Sequence, residues 1–145
     1  NRIAAMAADV CGHADAGATA LREAKYAWAG QLRASGDRDQ ALKLYKELAS
    51  DVKTREGSEA AYYVIEALFE SGDLDKTESE VFAFSDREPN AYWLAKAFLL
   101  LGDVYVRKGD TFQARATYQS VADGYSPADD GIVDEAKERI AKLKN

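Results

Sequence analysis

The chain has 145 residues, 47% of them hydrophobic, which is enough to bury the core of one ordinary domain. It carries 19 Lys and Arg against 25 Asp and Glu, and the net charge of -6 disfavours nucleic acid and anionic membranes as partners. No apolar stretch approaches the roughly 20 residues that a membrane-spanning helix needs. A single cysteine excludes an internal disulfide. The composition therefore indicates a globular domain.

The first segment, residues 1–17, is predicted to be the second half of a truncated helical unit. Ile3, Met6 and Val10 form an apolar stripe at helical spacing. Because such a stripe needs a partner, we expect the chain to be a piece of a longer protein and to self-associate through this helix. Cys11 and His13 are predicted to lie in a loop and to bind no metal, because the chain has no second Cys or His.

Three short motifs then divide the chain at nearly regular intervals. They are Ser35-Gly36-Asp37, Ser71-Gly72-Asp73 and Lys108-Gly109-Asp110. Their glycines lie 36 and 37 residues apart. A glycine suits the left-handed conformation that ends a helix, and an aspartate can cap the next helix. Each motif therefore predicts a helix–turn–helix hairpin.

Apolar residues between these turns recur every three or four positions, which is typical of amphipathic helices and not of strands. The pattern predicts helices over residues 18–35, 38–52, 58–71, 74–86, 90–108 and 111–124. Ser58 and Asn90 are the expected N-caps, and Pro89 and Pro127 fall in the links. The hairpins define repeats at 18–53, 54–89 and 90–127. Residues 129–145 are predicted to form a C-terminal capping helix.

Alignment on the turn glycines brings three sets of residues into register. The first set belongs to the first helix of each hairpin and consists of Ala29, Ile65 and Gly102. The others belong to the second helix and consist of Ala41, Thr77 and Ala114, then of Tyr45, Val81 and Tyr118. We expect these residues to form the core, together with Trp28 and Tyr105, because buried aromatic side chains dominate helix packing.

The best-matching segment is similar to the tetratricopeptide repeat family. It carries Phe98, Leu101-Gly102, Tyr105, Ala114, Tyr118 and Ala122. The resemblance extends over about residues 22–127 and implies an all-α, right-handed α-α superhelix. It also implies a protein–protein interaction or scaffold function, without catalysis, metal or cofactor.

Two further runs resemble the C-terminal repeats of long tetratricopeptide proteins from Gram-negative cell envelopes. These runs are Tyr92-Trp93-Leu94-Ala95-Lys96 and Phe112-Gln113-Ala114-Arg115. They imply a bacterial protein of the periplasm or envelope.

In proteins of this family, the first helices of the hairpins line a concave face that binds a peptide or protein partner. The residues expected on that face are Glu23, Tyr26, Arg33, Glu59, Tyr62, Glu66, Phe69, Glu70, Lys96, Asp103 and Arg107. Their aromatic side chains either form an exposed groove or pack between neighbouring first helices. Glu59, Glu66 and Glu70 would form a negative strip, with Lys96 and Arg107 supplying the opposite charge.

Two other functions remain open from the sequence. The chain could be a purely structural spacer, or an accessory domain of a larger envelope protein or enzyme. No glycine-rich phosphate loop occurs, and Asp129-Asp130-Gly131 lacks the ligand spacing of a calcium loop. The sequence therefore predicts neither an enzyme nor a cofactor site.

Overall fold

The structure, a computed structural model, describes residues 15–127 and 129–143. Seven α-helices and no strand occur in these residues, which confirms the predicted all-α fold. The helices are α1 (Asp15–Ala34), α2 (Arg38–Leu48), α3 (Arg55–Glu70), α4 (Leu74–Asp86), α5 (Ala91–Arg107), α6 (Thr111–Gly124) and α7 (Ile132–Lys142). The predictions for Cys11, His13 and the N-terminal apolar stripe lie outside the described residues.

The predicted turns between paired helices are confirmed. Gly36 has φ 93°, and the N–H of Asp37 donates to the carbonyl of Leu32 at 2.9 Å, which closes the end of α1. The Asp37 carboxylate accepts from the backbone N–H of Gln40 at 3.3 Å and so caps α2. Gly72 with Asp73 and Gly109 with Asp110 repeat this arrangement. Each glycine motif therefore joins the two helices of a hairpin.

The link between α2 and α3 differs from the prediction, and Ser58 is not an N-cap. The helix begins at Arg55, because the Thr54 hydroxyl accepts from the N–H of Gly57 at 2.9 Å and caps it. Ser58 is buried within α3, where its hydroxyl donates to the carbonyl of Val52 at 2.6 Å. A Cβ on Gly57 would lie 1.8 Å from the carbonyl oxygen of Asp51. The missing side chain lets this link fold back against the start of α3.

The chain divides into two compact units, residues 1–64 and 65–145. The division falls inside α3 and so does not coincide with the repeat boundaries expected at 53/54 and 89/90. Those repeat boundaries stay a prediction.

The first unit is built around residues from α1, α2 and α3. Its buried cluster consists of Ala29, Ala41, Leu44, Tyr45, Leu48 and Ala60. Trp28, Leu32 and Tyr63 are partly buried and pack against this cluster. The core positions predicted for the first hairpin are therefore confirmed.

The second unit depends on a close contact between α5 and α6. A Cβ built on Gly102 would lie 2.2 Å from Cε1 of Tyr118, so the tyrosine ring lies directly over the glycine backbone. Ala114 is fully buried on α6, and Ile132 and Ala136 are fully buried on α7. Gly102 and the small residues thus allow the helices of this unit to approach closely.

Thr77, which stands in register with two alanines, is also fully buried. Its hydroxyl donates to the carbonyl of Asp73 at 2.7 Å. Because this hydrogen bond satisfies the hydroxyl, Thr77 can occupy a position otherwise held by a small apolar residue.

We predict that Gly102→Ala destabilises the chain by about 1–3 kcal/mol, because the added methyl group overpacks the contact with Tyr118. Gly30→Ala is the matched control, since Gly30 is exposed on α1 and a Cβ there meets no atom within 4 Å. The control should gain about 0.5–1 kcal/mol from helix propensity. Urea unfolding followed by circular dichroism measures both changes. Equal stabilities of the two variants would contradict the close contact.

Candidate functional site

In the first unit, a buried carboxylate joins two first helices. The hydroxyl of Tyr26 on α1 lies 2.9 Å and 2.8 Å from the two carboxylate oxygens of Glu59 on α3. The hydroxyl of Tyr63 donates to the same carboxylate at 2.9 Å. Burial, followed by the hydrogen bond and negative charge of Glu59, raises the pKa of Tyr26 to about 12. Glu59 therefore accepts hydrogen bonds inside the fold and holds α1 against α3.

The other aromatic residue of the predicted face in this unit, Tyr62, is also packed. Tyr62 is only 8% exposed, and its ring centroid lies 6.0 Å from that of Tyr63. The Tyr63 ring lies 4.9 Å from Tyr45 and has the guanidinium carbon of Arg33 3.8 Å from its centroid. Of the sequence alternatives, packing between neighbouring first helices describes Tyr26, and Tyr62 is buried. Exposure of Tyr62 in a groove does not occur.

In the second unit, Asp103 joins three helices. Its carboxylate accepts from the Tyr118 hydroxyl on α6 and from Nε and Nη2 of Arg139 on α7, the latter at 3.1 Å and 3.4 Å. Burial and the hydrogen bond to Asp103 raise the pKa of Tyr118 above its usual range. Asp103 therefore docks α7 onto the hairpin formed by α5 and α6.

Two lysines, one within α5 and one just after it, form further ionic contacts with neighbouring helices. Lys96 lies 3.9 Å from the carboxylate of Glu135 on α7. Lys108, just after α5, lies 2.5 Å from Asp75 and 3.1 Å from Glu78 on α4. These interactions hold down the pKa of both carboxyl groups, chiefly through hydrogen bonds from Lys108 to Asp75 and from Tyr105 to Glu78. Lys96 on α5 is thus half-buried beside α7.

A groove of about 390 Å³ opens in the second unit beside α5 and α7. Its apolar and aromatic lining consists of Phe69, Val106, Tyr118 and Leu143. Its ionisable lining consists of Asp103, Arg107, Arg139 and Lys142. The guanidinium carbon of Arg107 lies 4.1 Å from the Phe69 ring centroid, and Val106 is 46% exposed. This arrangement offers an apolar surface edged by positive charge.

The groove brings together Phe69, Asp103 and Arg107 from the predicted partner-binding residues. The remaining members of that set lie elsewhere. Glu23 and Glu70 are exposed on α1 and α3, and Glu66 is half-buried. The negative strip expected from three glutamates therefore does not line the groove.

Register with Arg33 and Phe69 places Val106 on the predicted inner face as well, whereas Arg139, Lys142 and Leu143 were not selected as binding residues. The last three lie in the predicted capping helix, whose apolar stripe was expected to cover the end of the repeats and whose polar side was expected to face away from them. The signal that could have found Arg139 is the pair that it forms with Glu135, four residues before it on α7.

Within the described residues, no group of three or more His, Cys, Asp or Glu side chains is placed to hold a metal ion. In the same part of the chain, no helix combines the length and apolar character needed to cross a bilayer.

The repeated turns, the aspartate caps and the close α5–α6 contact define an all-α helical-repeat protein. Residues 96–126 match the family model described as tetratricopeptide repeat, so this segment of α5 and α6 is a tetratricopeptide repeat. It contains the predicted motif residues from Phe98 to Ala122. No curated protein matches the chain. Proteins built from repeats of this kind commonly serve in protein interaction and scaffolding. The narrower resemblance to envelope proteins stays a prediction.

The Tyr105–Glu78 contact predicts a loss of stability at alkaline pH. Burial, followed by the 2.5 Å hydrogen bond to Glu78, raises the pKa of Tyr105 to about 12. In the unfolded chain this tyrosine ionises near pH 10, so between about pH 10 and 12 only the folded state keeps the proton. The free energy of unfolding should therefore fall as pH rises through this window.

Tyr105→Phe removes this titration. Its stability deficit relative to the unchanged chain should be largest at about pH 8 and smaller at about pH 11. Urea unfolding at both pH values measures the deficit, and other tyrosines cancel in the comparison. A deficit that does not change with pH would contradict the assignment.

Proposed function

We propose that the chain is a non-catalytic protein-interaction or scaffold module, and that it binds a peptide segment of a partner protein in the groove beside α5 and α7. The observation that carries this proposal is the apolar lining of the groove, in which the exposed Val106 lies together with the partly buried Leu143 and Phe69. Its volume of about 390 Å³ lies in the range of sites that hold a small ligand or a few side chains.

The walls of the groove support the proposal because they are already held in place. Asp103, Tyr118 and Arg139 fix α7 to α5 and α6 through hydrogen bonds. The Arg107 guanidinium rests on Phe69. A surface that is ordered before binding loses less conformational entropy when the partner arrives.

The proposal does not use every residue that the sequence placed on the binding face. Glu59 is 9% exposed and Tyr62 is 8% exposed, so neither can contact a partner without rearrangement of the first unit. Their burial favours a structural role for that part of the predicted face. We therefore assign binding to the second unit.

Val106→Gln tests the proposal. This position lies in the last turn of α5 and is 46% exposed, so the substitution should change the free energy of unfolding by only about 0.5 kcal/mol. It places an amide in the apolar part of the groove and should reduce capture of partner proteins from cell extract, as measured by quantitative mass spectrometry.

Phe112→Gln is the matched control, because Phe112 is 83% exposed and does not line the groove. It introduces the same side chain and should leave capture unchanged. If both variants keep every partner, the structural-spacer alternative replaces this proposal. If both lose partners equally, exposed apolar residues in general, and not the groove, are responsible.

A further inference from the structure

The charged side chains that line the groove indicate the chemistry of the partner that it binds. We infer that it selects an acidic peptide segment that also carries an apolar anchor side chain. The inference rests on the proposed function, since it names the chemistry of the partner for the same groove.

The first step is the sign of the charge. Arg107, Arg139 and Lys142 line the groove together with one carboxylate, Asp103, so the lining carries an excess of positive charge. The whole chain has a net charge of -6. The groove is therefore a positive region on a negative protein, and it would attract acidic segments that the rest of the surface repels.

The second step is the availability of the cations. Arg139 is paired with Asp103 and lies 3.6 Å from Glu135, so its charge is compensated within the fold. Among the described residues, neither Arg107 nor Lys142 forms an ion pair. Arg107 contacts the Phe69 ring face, which leaves its positive charge uncompensated. These two side chains can therefore receive carboxylates from a partner.

The third step is the apolar surface between them. Phe69, Val106 and Leu143 line the same groove as Arg107 and Lys142. An apolar side chain of the partner can bury itself there while flanking carboxylates meet the two cations. The small volume suits one short segment, and so few unpaired cations would hold nucleic acid only weakly.

The experiment selects short random peptides displayed on phage against the immobilised chain. Bound phage are recovered separately from the unchanged chain and from the Val106→Gln variant. Peptide sequences that are recovered on the unchanged chain but not on the variant depend on the groove. We expect these sequences to be rich in Asp and Glu and to contain an aromatic or aliphatic residue. One selected peptide is then synthesised with a fluorophore, together with a version in which Asn and Gln replace its acids.

Fluorescence anisotropy should show that the acidic peptide binds about tenfold more tightly than its neutral version. The double variant Arg107→Gln, Lys142→Gln should remove this preference. The double variant Lys76→Gln, Lys137→Gln is the control, because both lysines are exposed in the same unit and outside the groove. It changes the net charge equally and should keep the preference.

The possible outcomes distinguish failure of the acidic-peptide inference from failure of the proposed function. Groove-dependent peptides that are neutral or basic would overturn the acidic partner while the proposed function stands. An equal loss in both double variants would assign the preference to the overall charge of the chain and overturn the inference. Selection that never depends on Val106 would overturn both the inference and the use of this groove.

Discussion

The contact between Gly102 and Tyr118 is the constraint on which the second unit depends. Because glycine has no side chain, the tyrosine ring can lie against the backbone of α5, and this position brings its hydroxyl to Asp103, the next residue along that helix. Asp103 in turn binds Arg139 and so fixes α7.

The equivalent pair in the first unit, Ala29 and Tyr45, lies in one buried cluster. The third pair in register is Ile65 with Val81, both buried, so a larger residue on the first helix accompanies a smaller one on the second. Such volume exchange preserves packing without preserving residue identity.

Tyrosine hydroxyls are the second recurring element, because they bind carboxylates on neighbouring helices. Tyr26 binds Glu59, Tyr105 binds Glu78 and Tyr118 binds Asp103. Each bond lets a helix bury most of an aromatic ring while the polar end of the side chain remains satisfied. A carboxylate held in this way contributes to the fold by accepting a hydrogen bond from a neighbouring helix. Glu59, which the sequence placed in a negative strip for a partner, is therefore buried and hydrogen-bonded within the first unit.

The sequence predicted the features that depend on local chemistry. The turn at Gly36 and the cap at Asp37 involve residues only a few positions apart, and the same pattern located the other hairpins. The start of α3 could not be predicted in this way, because it depends on the approach of Gly57 to the carbonyl of Asp51. Within the candidate site, register placed Phe69, Asp103 and Arg107 on first helices. It could not show that Tyr62 is buried, since burial depends on how the surrounding helices pack. Lys142 was missed because the polar side of the capping helix was expected only to face away from the repeats.

The positive charge of the groove depends on which of its charged side chains are paired within the fold and which are not. Asp103 is the acid that lines the groove, and its carboxylate is occupied by Tyr118 and Arg139 in holding α7. The cations at the edges are not used inside the fold in this way, because Arg107 lies on an aromatic face and Lys142 is at the end of its helix. A lysine at a helix C-terminus is stabilised by the helix dipole even without a carboxylate partner. The fold can therefore keep two uncompensated cations beside an apolar surface with little loss of stability, although the chain as a whole is acidic. Arg107 lies on the same helix as Asp103, which docks α7, so the structural role of Asp103 and the proposed binding role of Arg107 belong to one part of the fold.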